Sequence, residues 1–237
     1  MRDGLAGSAV KAIVFDVDGT LYSQPPLRRA MALRLARAHA LRPIRGWRTM
    51  KILSAYRRAQ EHMRDAASSG DLGAAQIDAA ATRTGATADQ VASCVARWMD
   101  QEPLEVIGRY VRPGMADLLD RLRARGVLLA VLSDYPATAK LHAMGLGAKF
   151  DAVLCAQHSE IGAFKPDPRG ILVALDRLGV RPADALYIGD RVEVDAVAAQ
   201  AAGVACVILT EARIRQESGA STLLMSLSDL SERLETV

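Results

Sequence analysis

Apolar and polar positions divide the chain into three regions of different texture. Ala12-Ile13-Val14-Phe15 is a short continuous apolar run and predicts a buried strand over 12–18. From Tyr22 to about Tyr110, apolar residues recur at helical spacing, as in Leu27, Met31, Leu35 and Ala38, then Met50, Leu53 and Met63. That spacing predicts helices near 26–40, 46–68, 74–84 and 88–99, with no strand among them. After Val111-Arg112-Pro113-Gly114 the texture changes again. A helix over 114–125 ends at Gly126, a C-cap residue. Strands are expected at 127–132, 152–155, 185–188 and 204–209. Helices are expected at 136–144, from Lys165 to Leu178 with Pro168 in the first turn, and at 192–202. Leu223–Leu234 adds an apolar run and a last helix. Strand–helix alternation predicts an α/β fold, a parallel sheet with helices on both faces. The expected division is a core of residues 1–21 and 111–237, interrupted by an all-helical insert over 22–110.

Composition narrows the class. Half of the 237 residues are apolar, enough for one sizeable core and a smaller lobe. No apolar run reaches the length of a membrane span, and the N-terminal residues lack a secretory segment, since Asp16 and Asp18 interrupt the one candidate. The cysteines Cys94, Cys155 and Cys206 stand far apart in apolar surroundings. That argues for buried thiols in a reducing cytoplasm rather than a disulfide framework. Between residues 22 and 64 there are eleven basic residues against one acid, Glu61. Such a segment either steers an anionic substrate or is the solvated face of Arg-rich helices. Contact with nucleic acid is disfavoured, because only Trp47 and Tyr56 could stack there. The pattern specifies no oligomeric state.

The chemistry concentrates at predicted strand ends. Asp16 and Asp18 follow the first strand, Ser133 the next, and Asp190 a later one; Lys165 opens a helix. In open α/β sheets this edge binds ligands. Two carboxylates two residues apart share one side of an extended strand, a costly arrangement unless a cation or a developing charge needs them. Gly19 then allows a sharp turn. Together these residues suit phosphoryl transfer. Asp16 attacks phosphorus and forms an aspartyl-phosphate. Mg²⁺ is held by Asp16, Asp190 and water, since oxygen donors suit a hard cation. Ser133 and the backbone amide of Asp134 bind a phosphoryl oxygen, and Lys165 balances charge and holds Asp16. Asp18 protonates the leaving alkoxide and then activates water.

DVDGTLY, LSDY, FKPDP and YIGDRVEVD, in this order, resemble the four motifs of the haloacid dehalogenase-like hydrolases. The match extends over most of 12–21 and 111–210. The resemblance implies a Rossmann-like core with Asp16 as nucleophile, Asp18 as acid/base, and Ser133 and Lys165 as phosphate ligands. It implies Mg²⁺ on Asp16, the backbone carbonyl of Asp18, and Asp190. Asp195 matches the second acid of the last motif and binds the metal directly or through water; Val194 occupies the shorter spacing, and Glu193 fits neither. The insert, between the first and second motifs, resembles the mobile cap of the family, with hinges at Ser23-Gln24-Pro25 and Pro113-Gly114.

Asp18 favours phosphate-ester hydrolysis over carbon–halogen cleavage, because a halide leaves without a proton. A phosphomutase keeps the same residues. Phosphonate cleavage needs an imine-forming lysine, and Lys51 is the sole lysine of the insert. A non-catalytic phosphometabolite-binding protein is expected to have lost Asp16, Asp18 or a metal acid, and none is lost. The expected partner is a small phosphorylated molecule; the Arg-rich segment, including Arg42, Arg45 and Arg48, suggests an acidic one. His39, His62, His142 and His158 show no ligand spacing, although His158 precedes Lys165 closely enough to approach the site.

Overall fold

The computed structural model describes residues 10–210, 216–217 and 222–235. Strand β1 (Ala12–Phe15) is central. It pairs in parallel with β2 (Leu128–Ser133) on one side and β4 (Ala185–Gly189) on the other. Outside these lie β3 (Ala152–Cys155) and β5 (Ala205–Leu209), also parallel. Strand β7 (Thr222–Met225) continues the sheet in parallel, and the short β6 (Gln216–Glu217) closes it antiparallel, in the order β3-β2-β1-β4-β5-β7-β6. The expected parallel α/β architecture is present, and β6 was not anticipated.

Alternate strand residues point to opposite faces, and both faces are covered. Ile13, Phe15, Leu129, Val131, Leu186 and Ile188 meet helix α5 (Met115–Ala124) and the C-terminal helix, Leu227–Glu235, on one face. Val14, Ala130, Leu132 and Tyr187 meet helix Arg169–Leu178 and helix Val197–Ala201 on the other. Burial on both sides is why these strands read as continuous apolar runs rather than alternating ones.

Between β1 and α5 every described regular element is helical: α1 (Gln24–Ala38), α2 (Pro43–Asp65), α3 (Leu72–Thr84) and α4 (Ala88–Val95), followed by short turns to Tyr110. These helices hold an apolar cluster of their own around Ala55, Tyr56, Ala80, Val91 and Val95. The two connecting segments run side by side: Ser23 N donates to Tyr110 O (2.9 Å) and Arg112 N to Leu21 O (3.0 Å).

Three elements differ from expectation. β1 ends at Phe15, because Thr20 N and Leu21 N turn back to Val17 O. The helix expected from Lys165 begins at Arg169, whose N–H is capped by Asp167 Oδ1 (2.9 Å) behind two prolines. The helix expected at 192–202 is a wide turn, Val192–Ala196, followed by Val197–Ala201. Among the described residues no helix is long and apolar enough to cross a membrane.

Leu129 is fully buried at the centre of the sheet, whereas Leu41 is 97% exposed. Leu129→Ala is expected to lower stability by about 2–5 kcal/mol. Leu41→Ala should change it by less than about 0.5 kcal/mol. Urea unfolding of both variants measures the difference.

Candidate active site

The site lies where β1, β2 and β4 end. Asp16 directly follows β1, and its N–H still donates to Ile188 O on β4 (2.8 Å). Its carboxylate is buried. Oδ1 accepts from Lys165 Nζ (2.5 Å) and Oδ2 from Thr20 Oγ1 (3.1 Å). Lys165 is equally buried and donates to Asp195 Oδ1 (2.7 Å) and to the Tyr187 hydroxyl (3.2 Å). The Tyr187 hydroxyl in turn donates to Asp195 (3.1 Å). Asp195 Oδ2 accepts the N–H groups of Asp190 (3.2 Å) and Arg191 (3.0 Å). This clasp shapes the wide turn after β4.

Two glycines make room for the cluster. Gly19 has φ +103°, and a Cβ there would sit 2.0 Å from Asp190 Oδ2. A Cβ on Gly189 would come within 2.5 Å of Asp195. Arg112 holds the turn from below, donating to the carbonyls of Gly19 (2.7 Å) and Thr20 (3.1 Å).

Asp16, Asp190 and Asp195 each bring a carboxylate oxygen within 4.8 Å of the others. Three carboxylates against one lysine leave the cluster with excess negative charge. Burial pushes the Asp16 carboxyl well above its ordinary range, and Asp195 and Asp190 add to the rise against the pull of Lys165. Burial also raises Asp190, to about 6, with Asp195 contributing. Asp195 would be raised by burial too, but Lys165 and the two backbone N–H groups outweigh that and hold it low. Lys165, despite its burial, is kept charged by Asp16 and Asp195. Hard oxygen donors with uncompensated negative charge suit a hard divalent cation.

Asp18 is placed differently. Its carboxylate stands outside the three-acid cluster and is held by Lys140 Nζ (3.0 and 3.2 Å) and the Tyr22 hydroxyl (2.5 Å). Burial alone would raise this carboxyl, but Lys140 and Tyr22 outweigh it and keep it below its ordinary range.

A cavity of about 600 Å³ opens over these groups. Asp16, Asp18, Asp134, Lys165, Asp190 and Asp195 are on its wall. Ser133 is buried at the end of β2, its Oγ accepting from Tyr135 N (3.3 Å), and it is not part of that wall. The Asp134 carboxylate pairs with Arg64 of α2, which also binds Glu61 (2.7 Å). The basic residues on the wall include Arg28, Arg57, Arg58 and Arg64. Arg42, Arg45 and Arg48, expected to face an acidic substrate, are exposed at the far end of α2 and not on the wall; His158 is not on it either. Lys140, Tyr22, Tyr187 and Arg112 were not anticipated. Tyr187 carried a weak signal, a hydroxyl inside an otherwise apolar strand; the others carried none.

Known proteins resemble this chain in sequence and in fold. The family model described as haloacid dehalogenase-like hydrolase matches residues 10–203. A glyceraldehyde 3-phosphate phosphatase of Methanopyrus kandleri is 31% identical over 84% of this chain and 83% of its own. A phosphoglycolate phosphatase of Pseudomonas putida is 32% identical over 86% of this chain and 71% of its own. A 2-haloacid dehalogenase structure from Pseudomonas syringae shares the fold at 22% identity, with a TM-score of 0.65 over 96% of this chain and 99% of that one.

The raised Asp190 carboxyl sets a pH dependence. In chelator the folded protein takes up this proton more readily than the unfolded chain between pH 3.8 and about 6. The Asp190 contribution to stability therefore falls as pH rises through that window. Asp190→Asn is expected to stabilise the metal-free protein at pH 7.5 by about 1–2 kcal/mol, after discounting for solvent screening, and by nearly nothing at pH 4. Denaturant unfolding of both proteins at the two pH values reads the difference.

Proposed function

The chain belongs to the haloacid dehalogenase-like hydrolases, and from that membership we propose that it hydrolyses a small-molecule phosphate monoester through an aspartyl-phosphate on Asp16. The observation that carries this reading is the division of the two neighbouring carboxylates. Asp16 sits in a buried acidic cluster, and Asp18 sits on its own lysine and tyrosine. With the charge of the cluster offset by a cation, Asp16 would be ionised for attack, whereas Asp18, outside that cluster, is left to exchange a proton with the leaving group and with water. The names of the two phosphatase relatives favour a phosphate ester over a carbon–halogen bond. The dehalogenase likeness, at its low identity, supports the fold alone.

In this mechanism Lys165 orients Asp16 Oδ1, and the Thr20 hydroxyl holds Oδ2, so the carboxylate faces the cavity in one rotamer. Lys165 and the backbone amide of Asp134 bind the phosphoryl group, with Ser133 buried just behind that wall at the end of β2. The phosphate dianion raises the proton affinity of Asp18, which protonates the leaving alkoxide as the phosphorus–oxygen bond breaks. Once the alcohol departs, Asp18 returns to its ionised state, stabilised by Lys140 and Tyr22, and takes a proton from the water that hydrolyses the acyl phosphate. Mg²⁺ is the cation we assign to Asp16, Asp190, the carbonyl of Asp18 and, directly or through water, Asp195; when bound it neutralises the repulsion between carboxylate and phosphate.

The helices of 22–110 act as a cap over the core of 1–21 and 111–237 and limit water at the site. The three cysteines are free and fit a reducing compartment, the cytoplasm.

Hydrolysis of p-nitrophenyl phosphate tests the reading. Turnover should require Mg²⁺ and fall to background in Asp16→Asn. Asp18→Asn should lower kcat by about 10²–10⁴. Equal turnover in chelator, or full activity in Asp16→Asn, would reject the mechanism.

A further inference from the structure

The wall of the cavity changes character with distance from Asp16. Its inner end is charged, with Lys165, Lys140 and Arg64 around the carboxylates. Farther out an apolar row runs along each side, with Gln24, Arg28, Ser54, Arg57 and Arg58 beside it. Leu27, Met31 and Leu35 are spaced i, i+4, i+8 along α1 and form one side; Met50 and Leu53 of α2 form the other, and Trp98 also lines it. Helices joined by a connection as short as residues 39–42 ordinarily bury such rows against each other. Here the rows line a space of about 600 Å³.

From Arg64 back to Met50, α2 runs fourteen residues, or about 21 Å at the helical rise. A two- or three-carbon phosphate would occupy only the inner end of such a slot. The volume is that of sites for much larger ligands. Apolar walls facing water are costly, and the cost is relieved by apolar matter. Charge fixes the orientation of the occupant. Its anionic end belongs beside Lys165, and Arg28, Arg57 and Arg58 on the same wall draw an anion inward. The single acid on the α1–α2 pair that lines the cavity, Glu61, is neutralised by Arg64 and Arg191.

We propose that the substrate is a phosphate monoester whose alcohol carries an extended apolar body, lying between the Leu27–Met31–Leu35 row and Met50–Leu53. The proposal rests on the phosphatase reading and names its substrate class.

The test is a series of n-alkyl phosphates from ethyl to decyl, each below its micellar concentration, with phosphoglycolate alongside. kcat/KM should rise about two- to fourfold per added methylene until the slot is filled. Met31→Asp and Leu53→Asp, each checked for an unchanged melting temperature, should flatten that rise. A flat series, or phosphoglycolate as the best substrate, would overturn the proposal while leaving the phosphatase reading intact. Absence of turnover for every ester would instead reject the phosphatase reading. The slot is also read without turnover, by calorimetric binding of octylphosphonate and ethylphosphonate. Octylphosphonate is expected to bind at least tenfold tighter, and equal affinities would overturn the proposal even if neither aspartate variant folds.

Discussion

One buried ammonium holds the site together. Lys165 Nζ touches Asp16, Asp195 and the Tyr187 hydroxyl, and almost no water reaches it. Without it, burial and mutual repulsion would push carboxylates this close still further toward their neutral forms. Removing one partner of such a buried ion pair costs about 3–5 kcal/mol, because the other charge is then left buried and unpaired. The lysine does not neutralise the whole cluster, and the remaining negative charge is what suits the cluster to a cation.

The sheet supplies the convergence. β1, β2 and β4 are adjacent and parallel, so the residues after their C-terminal ends arrive on one edge. Both faces of the sheet are buried, which fixes the register of each strand and the place of each terminal residue. Gly19 and Gly189 then let backbone and carboxylates approach more closely than a side chain would permit. Above this rigid edge, the helices between β1 and α5 have their own apolar cluster. Their arginines and apolar rows, not the strand ends, form the outer wall of the cavity.

Much of this was legible in the sequence for a physical reason. Strands buried on both faces appear as plain apolar runs, and the polar residues that interrupt them mark the sheet edge. Asp16, Ser133 and Asp190 could be placed on one edge because topology alone brings strand ends together, Lys165 followed as the residue opening a helix, and Asp195 was read from the resemblance of the last motif. The pairing of Lys140 with Asp18 could not be read. It joins residues 122 positions apart, and a lysine on a short helix looks the same in sequence whether buried or solvated. Arg112 was equally hidden, since its role depends on how two connecting segments cross. The Arg-rich segment misled for the opposite reason. Its charge was visible, but the helical phase and the distance along α2 decide that Arg57, Arg58 and Arg64 line the cavity while Arg42, Arg45 and Arg48 do not. The helix expected from Lys165 begins at Arg169, and the one expected from Val192 becomes regular only at Val197, because hydrogen bonds to the Asp167 and Asp195 carboxylates overrode the apolar periodicity.

In the mechanism we propose, Asp16 carries the phosphoryl group during turnover. Rapid acid quench of the working enzyme, followed by borohydride reduction and peptide mass spectrometry, tests it most directly. An aspartyl-phosphate at Asp16 is reduced to homoserine, and the account predicts homoserine at position 16 alone. Homoserine at another aspartate, or unmodified Asp16 in enzyme quenched during a pre-steady-state burst of alcohol release, would contradict it.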